Sequence, residues 1–179
     1  VRPARGGPIP AAGSVLAGTG DGAEWLHRHA VAGRTLAVSA RISAGREPLS
    51  GPVDVINGGP RLLQGGSARI TAFAEGFHWP ESPEFFYRFG VRRNPRTLAG
   101  VRRDGDLVLV AIDGRRPGVS VGASFEESAG VLRALGASDG VNLDGGGSTG
   151  MTVGSALVST PSDSTGERPL GDALVITPR

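Results

Sequence analysis

The sequence predicts an α+β fold, in which a mixed, mostly antiparallel sheet of short strands is combined with two main helices. Thirty glycines and thirteen prolines among 179 residues, without any period, favour many short strands and tight turns over long helices. The hydrophobic fraction of 39% and the charged fraction of 20% are typical of an ordinary globular protein. The even spread of apolar residues predicts that residues 1–179 form a single domain.

Two segments carry the signals that start a helix. Asp21 and Glu24 have the spacing of a capping box and predict a helix over about residues 21–30. An S-x-x-E box begins at Ser124, and apolar residues then recur at helical spacing until a glycine. This pattern predicts the second helix over about residues 124–135.

Short apolar runs between turn residues predict the strands. Apolar residues alternate with polar or small ones over residues 36–42, which is the period of a half-buried strand. Gly154 and Ser155 separate two further runs and suit a type II′ hairpin turn. The remaining predicted strands lie in residues 62–66, 97–101, 107–112, 141–144 and 173–177.

The segment Asn142-Leu143-Asp144-Gly145-Gly146-Gly147-Ser148 places a carboxylate where a predicted strand ends in a glycine-rich turn. Successive glycine peptides can turn their N–H groups into one concavity, which suits an anion or a developing oxyanion. Ile56-Asn57-Gly58-Gly59-Pro60 resembles this segment, and two such turns can converge on one pocket. The alternative interpretation is a glycine-rich surface turn after a buried strand.

The charged residues favour an anionic small ligand over a nucleic acid. Every basic residue apart from the histidines is arginine, which recognises phosphate and carboxylate through paired N–H donors. Codon bias in a GC-rich bacterial gene would also explain the absence of lysine. The formal net charge is only +2 and the arginines are scattered, whereas a nucleic-acid surface needs a dense basic patch.

Other classes of function are excluded by what the sequence lacks. There is no cysteine, and hence no disulfide, thiol nucleophile or thiolate metal site. No apolar run approaches the length of a membrane span. We expect neither a metal nor another cofactor.

Four motifs, in this order along the chain, resemble the phosphodiester glycosidase family, which includes the uncovering enzyme of lysosomal glycans. They are Arg96-Thr97-Leu98-Ala99-Gly100-Val101, Ile112-Asp113-Gly114-Arg115, residues 142–148, and Pro161-Ser162-Asp163 through Glu167-Arg168-Pro169. The resemblance covers residues 96–176, and more loosely residues 9–16 and 56–60. Members usually begin with a further segment that contains an Asn-Gly-Gly-Phe-Phe-like motif. The resemblance therefore implies that this chain is the C-terminal part of a longer domain, and its own cleaved N-terminal fragment is an expected partner.

The resemblance implies hydrolysis of a sugar 1-phosphodiester at the anomeric carbon, in a phosphorylated glycan or cell-envelope polymer, by a secreted or cell-envelope enzyme. Such reactions commonly use two carboxylates. Asp144 and Asp113 each close a predicted strand before a glycine, and they are the candidates for the catalytic pair. Asp-Gly is also a common turn pair, so a purely structural role for Asp113 stays open.

The other candidates would bind the substrate. Arg96 and Arg168 would clamp the phosphate through paired contacts. The amides of Gly145, Gly146, Gly147 and Ser148 would form a nest for an oxygen. Asn57 and Asn142 would hydrogen-bond sugar hydroxyls or hold the loops.

Two alternatives come from other functional classes. A non-catalytic carbohydrate-binding domain of a cell-wall protein would use the Asp and Gly residues to shape a sugar or Ca²⁺ pocket. Residues 73–89, with five of the six phenylalanines, are compatible with it as a binding wall or lid, although they could equally plug an open end of the sheet. A nucleotide-phosphate binder is disfavoured, because the glycines lack a following Lys-Ser/Thr or a G-x-G-x-x-G helix start.

Overall fold

The computed structural model describes residues 9–39, 41–51 and 54–177, and the chain divides into two compact units, Val1–Val53 and Asp54–Arg179. The first unit contains α1 (Asp21–His29), β1 (Ser43–Ala44) and β2 (Glu47–Pro48). The second unit contains β3 (Arg61–Gln64), β4 (Ser67–Ala68), α2 (Glu84–Phe86) with a π-helical turn (Tyr87–Val91), β5 (Arg96–Arg102), β6 (Leu107–Ile112), α3 (Phe125–Ala134), β7 (Ala137–Asn142), a 3₁₀ turn (Gly146–Ser148), β8 (Thr152–Val153) and β9 (Ala156–Leu157). These elements confirm the predicted α+β class with a mostly antiparallel sheet of short strands.

Helix α1 confirms the helix predicted at 21–30 but not its cap. The residue that precedes the helix is Gly20, and no side chain caps the first turn. Asp21 and Glu24 lie within that turn, where their negative charge is attracted to the partial positive charge of the helix N-terminus.

The second unit is built on a five-stranded sheet in the order β4-β3-β7-β5-β6. Strand β5 pairs with β6 on one side and with β7 on the other, so that Arg96 lies opposite Ile112, and Leu98 lies opposite Asn142. Because β5 runs antiparallel to both neighbours, its first residues lie beside the last residues of β6 and β7. The segments that follow β6 and β7 therefore leave the sheet at the same edge.

Helix α3 packs against this sheet. The predicted capping box is present, since Ser124 accepts the backbone N–H of Glu127 while Glu127 accepts that of Ser124. Leu132 is fully buried over a strand glycine, and a Cβ built on Gly140 would lie only 2.6 Å from its Cδ1. The missing side chain lets the helix approach the sheet closely. The buried core also includes Leu62, Leu63, Ala72, Leu98, Phe125, Ala129 and Ala137.

The aromatic segment at 73–89 extends this core. The rings of Phe77 and Phe89 meet the buried Phe125 ring edge-on, with centroids 6.0 and 5.6 Å away. Phe85 stacks on Phe89 at 5.5 Å. These contacts place Phe77, Phe85 and Phe89 against the core, as the plug predicts, whereas Phe73, Trp79 and Tyr87 are at least half exposed.

Two predicted strands are not formed by the described residues. Strand pairing in the first unit begins only at Ser43, after the range 36–42. Residues 173–177 are exposed and belong to no strand. In both places the apolar pattern has no partner strand among the described residues, and pairing is what stabilises a strand. The predicted hairpin is confirmed, and Gly154 has the positive φ of 62° that the first central residue of a type II′ turn requires.

Candidate active site

The segments after β6 and β7 meet at Pro95, the residue just before β5. The N–H of Gly146 donates to the Pro95 carbonyl at 2.9 Å. Gly114 lies against the same residue, since a Cβ built there would be 2.7 Å from the Pro95 nitrogen. Asp113 and Asp144 are therefore at the same edge of the sheet, as the sequence predicted. We call residues 113–115, 144–148 and 163–168 the strand-end site.

Asp144 is the freer of the two carboxylates. Its side chain is exposed, and one oxygen accepts the N–H of Gly145 at 2.8 Å. Within the described residues, its other oxygen makes no hydrogen bond. A carboxylate held at one oxygen and open at the other has the geometry that attack on a sugar carbon, or proton removal from water, would need.

Asp113 holds two loops together. Its side chain is half-buried, and Oδ1 accepts the backbone N–H of Thr160 at 2.8 Å. Its backbone carbonyl accepts the Ser120 hydroxyl at 2.5 Å. These bonds fasten the loop that carries Arg168 to the end of β6, so Asp113 has a structural role, through a bond to a distant loop rather than through an Asp-Gly turn.

Arg96 lies in the core, contrary to the predicted phosphate contact. Its side chain is fully buried, and its guanidinium carbon lies 4.5 Å from the Phe125 ring centroid and 5.0 Å from that of Phe89. Nε donates to the Ala123 carbonyl at 2.8 Å, and Nη2 donates to the carbonyls of Phe89 and Arg92. Burial lowers the pKa of Arg96 to about 10, so the group stays charged at neutral pH. The Arg96 side chain thus connects strand β5 to the aromatic segment and to the residues just before α3.

Asn142 takes the loop-holding role of the two that were predicted. It is fully buried, and its Nδ2 donates to the carbonyls of Gly59 at 2.8 Å and Leu143 at 2.6 Å. The Gly59 N–H donates in return to the Asn142 carbonyl at 2.6 Å. The two glycine stretches therefore do converge, through Asn142, although residues 54–60 form no strand. Asn57 is exposed beside them.

The glycine turn uses most of its amides within the chain. The N–H groups of Gly145, Gly146 and Ser148 donate to Asp144, Pro95 and Gly145, respectively. Of the four amides predicted to form a nest, only that of Gly147 has no acceptor among the described residues. In this conformation the turn is a platform rather than a four-amide nest.

Arg168 does lie on this platform, together with two residues that were not among the predicted site residues. Its Nη2 donates to the Ser148 hydroxyl at 2.7 Å, and its Nη1 lies 3.6 Å from Asp163 Oδ2. Asp163 Oδ1 lies 3.7 Å from Arg115 Nη1. We call Arg115, Asp163 and Arg168 the Arg-Asp-Arg cluster. Both guanidinium groups are nearly half exposed, and Asp163 is 27% exposed, so the cluster is accessible to a ligand.

Two glycines seat the Arg-Asp-Arg cluster on the turn. A Cβ built on Gly147 would lie 2.5 Å from the Asp163 carboxyl carbon, and one on Gly146 would lie 3.0 Å from Arg115 Nη2. Arg115 itself has a φ of 58°, in a left-handed region that residues other than glycine rarely occupy. Such backbone strain persists where surrounding contacts impose it, and it is common at functional sites. The sequence signal was present, since both residues lie inside the motifs that carry the family resemblance.

Other features of the described residues lie apart from this chemistry. A groove of about 500 Å³ between α3 and residues 118–123 has the exposed Arg93–Glu127 ion pair at its rim and is otherwise lined mainly by apolar and small residues. Residues 9–39, 41–51 and 54–177 contain no cluster of three acidic or histidine side chains that could hold a metal ion. No helix in these ranges is long and apolar enough to cross a membrane.

The similarity to known proteins extends beyond these motifs to most of the chain. The family model described as phosphodiester glycosidase matches residues 1–177. Mouse N-acetylglucosamine-1-phosphodiester alpha-N-acetylglucosaminidase is 30% identical over 119 residues, which are 65% of this chain and 22% of the mouse protein.

Two solved structures are similar to the chain. A Burkholderia pseudomallei protein, provisionally described as exported, has 42% identity and a TM-score of 0.73 over 86% of this chain and 31% of its own. The catalytic domain of the zebrafish N-acetylglucosamine-1-phosphodiester enzyme, auto-inhibited by a pro-peptide, has 27% identity and a TM-score of 0.50 over 60% of this chain and 35% of its own. The chain thus spans between about a fifth and a third of the length of these three proteins.

Proposed function

The chain belongs to the phosphodiester glycosidase family, and from that premise we propose that it hydrolyses the bond between a sugar and the phosphate of a sugar 1-phosphodiester. The observation that carries the proposal is the Arg-Asp-Arg cluster seated on Gly146 and Gly147, in the same turn that follows the exposed Asp144. Guanidinium groups recognise phosphate oxygens, and a nearby carboxylate can act at the sugar carbon.

Asp144 is our candidate for the base or nucleophile. In glycoside hydrolysis the anomeric carbon gains positive charge in the transition state, and a carboxylate stabilises or attacks it. The leaving group here is a phosphate ester, which departs more readily than an alcohol and therefore needs less help from a general acid. Stabilising its negative charge matters more, and Arg168 is placed to do so.

Asp113 remains the candidate for the second carboxylate, and it also has a structural role. One of its oxygens is engaged by the Thr160 amide, while both Asp113 and Asp144 follow strands that flank β5. Its contribution is first to hold the loop that bears Arg168, and then to supply negative charge near the sugar. Exchanging Asp113 for Ala is therefore expected to lower both stability and turnover.

The decisive assay measures release of reducing sugar from an N-acetylglucosamine 1-phosphodiester, the substrate class named for the mouse and zebrafish relatives. We expect the protein to release the sugar, and we expect Asp144→Asn and Asp144→Ala to lose most turnover while staying folded. The alanine variant is needed because Asn followed by Gly deamidates readily and restores the acid. Asp106→Asn, a 70% exposed residue at the far end of the β5–β6 hairpin, is the matched control.

The outcomes separate the two functional classes. Binding of the diester without sugar release would favour the alternative of a carbohydrate-binding domain. Full turnover in both Asp144 variants would remove that residue from the mechanism.

We also propose that the protein acts outside the cytoplasm, on a glycan or an envelope polymer. The support is the similarity to a Burkholderia protein provisionally described as exported. Fractionation of the native host, with detection of the chain in the envelope or the medium, tests this; recovery only from the cytoplasm would refute it.

A further inference from the structure

The Arg-Asp-Arg cluster contains its own anion. Asp163 lies between the two guanidinium groups at 3.7 and 3.6 Å, distances at which charges attract but hydrogen bonds are not formed. The carboxylate therefore reduces the positive charge without consuming the N–H donors. Each guanidinium has five donors, and the bonds to Asn94 and Ser148 use only one from each arginine.

The net charge of this cluster is suited to a particular phosphate. Two guanidinium groups and one carboxylate leave a single excess positive charge. Within the described part of the chain, no second carboxylate lies within 4 Å of either guanidinium. A phosphodiester carries one negative charge, whereas a phosphomonoester carries about −1.5 to −2 near neutral pH.

We propose that Asp163 is a specificity-determining residue: its carboxylate matches the cluster to a singly charged phosphodiester and disfavours the doubly charged monoester that hydrolysis releases. The inference rests on the proposed function for the identity of the ligand. Its consequence is that the product leaves more readily than it would from a site with two unopposed arginines.

Asp163 is held firmly enough to act in this way. Its carboxylate rests on Gly147, where a side chain would displace it. Its backbone carbonyl accepts the Gly166 N–H at 3.0 Å, which closes a tight turn. The same loop is fastened to the end of β6 through Thr160 and Asp113. The loop backbone at Asp163 is thus held at two points, and the carboxylate itself rests on the glycine turn.

Equilibrium binding of two simple esters tests the proposal without any turnover. Phenyl phosphate serves as the dianionic monoester and methyl phenyl phosphate as the monoanionic diester, each titrated by NMR at pH 7.5. Asp163→Asn keeps the shape of the side chain and removes its charge. Arg168→Gln changes the cluster in the opposite direction and stays informative if the first variant fails to fold, while Asp106→Asn removes an equivalent charge far from the site.

We expect Asp163→Asn to tighten binding of the monoester relative to the diester by about tenfold, which corresponds to about 1.4 kcal/mol. The change is modest because these half-exposed charges interact through water as well as protein. Arg168→Gln should shift the same ratio toward the diester, and Asp106→Asn should leave it unchanged.

Three results would overturn the inference. An unchanged ratio in Asp163→Asn, with both esters bound by the wild type, would refute it while leaving the proposed function intact. Weaker binding of the monoester in that variant would assign Asp163 to orienting the arginines instead. Failure of the wild type to bind either ester at millimolar concentration would remove the phosphate site itself, and with it the proposed function.

Discussion

Exchanging Gly147 for alanine isolates the contact that seats Asp163 on the glycine turn. The backbone of Gly147 has no positive φ, so alanine is compatible with its conformation and the effect is steric. The new Cβ would lie 2.5 Å from the Asp163 carboxyl carbon. That is roughly 1 Å short of the 3.5 to 4.0 Å at which carbon atoms pack without repulsion.

The side chain of Asp163 must therefore move by about 1 Å. The stability cost should be small, about 1 kcal/mol, because the displaced group is the end of a side chain and its ion pairs are partly exposed. The cost to activity should be larger, because the clash also pushes on the turn that follows Asp144, and a misplacement of about 1 Å near the reacting groups can lower the rate about 100-fold. We expect kcat/KM for the sugar phosphodiester to fall by about this factor while the thermal midpoint changes little.

Gly150→Ala is the matched control, since a Cβ at that position meets nothing within 4 Å and its φ is not positive. It should leave both activity and stability unchanged. The double variant Gly147→Ala with Asp163→Ser should recover the lost stability without recovering the wild-type activity. Wild-type kcat/KM in Gly147→Ala would refute the assignment of this contact to the active site.

Two further predictions concern charged side chains with a structural role. Arg96→Met should lower the free energy of unfolding by about 3 kcal/mol, because buried carbonyls lose their donor and the rings of Phe89 and Phe125 lose their cation. Thermal melting measures this, and an increased KM at unchanged stability would contradict the core role. The Arg93 side-chain hydrogen bond, followed by the Ser124 backbone hydrogen bond, lowers the pKa of Glu127 from 4.5 to about 2. The folded state then binds fewer protons than the unfolded chain between those values, so this stabilisation is complete above pH 4.5 and is lost as the pH falls toward 2. Because both groups are exposed, Glu127→Gln should remove less than about 1 kcal/mol at pH 7. The loss should be smaller at pH 2, where the folded carboxyl is about half protonated. Urea unfolding at both pH values measures this, and equal losses would contradict the ion pair.

Features set by neighbouring residues could be predicted from the sequence. The capping box at Ser124 and the hairpin turn at Gly154 depend on contacts within a few positions, and both are present. Short connections also account for the antiparallel pairs β3–β4 and β5–β6, whereas the position of β7 between β3 and β5 depends on segments distant in the chain. That order is what brings Asp113 and Asp144 to one edge.

Local sequence patterns could not predict which arginine is buried. Arg96 and Arg168 are both single arginines within family-like motifs, yet one lies between two phenylalanine rings and the other on the surface. Likewise, nothing near Asp163 in the sequence announces Arg115, which lies 48 positions earlier in the chain. The sequence alone determined the two main helices, the Gly154 hairpin, the motifs and the family resemblance. Only the tertiary structure decided which charged groups meet, because burial and pairing depend on segments that are distant in the chain and become neighbours when the sheet forms.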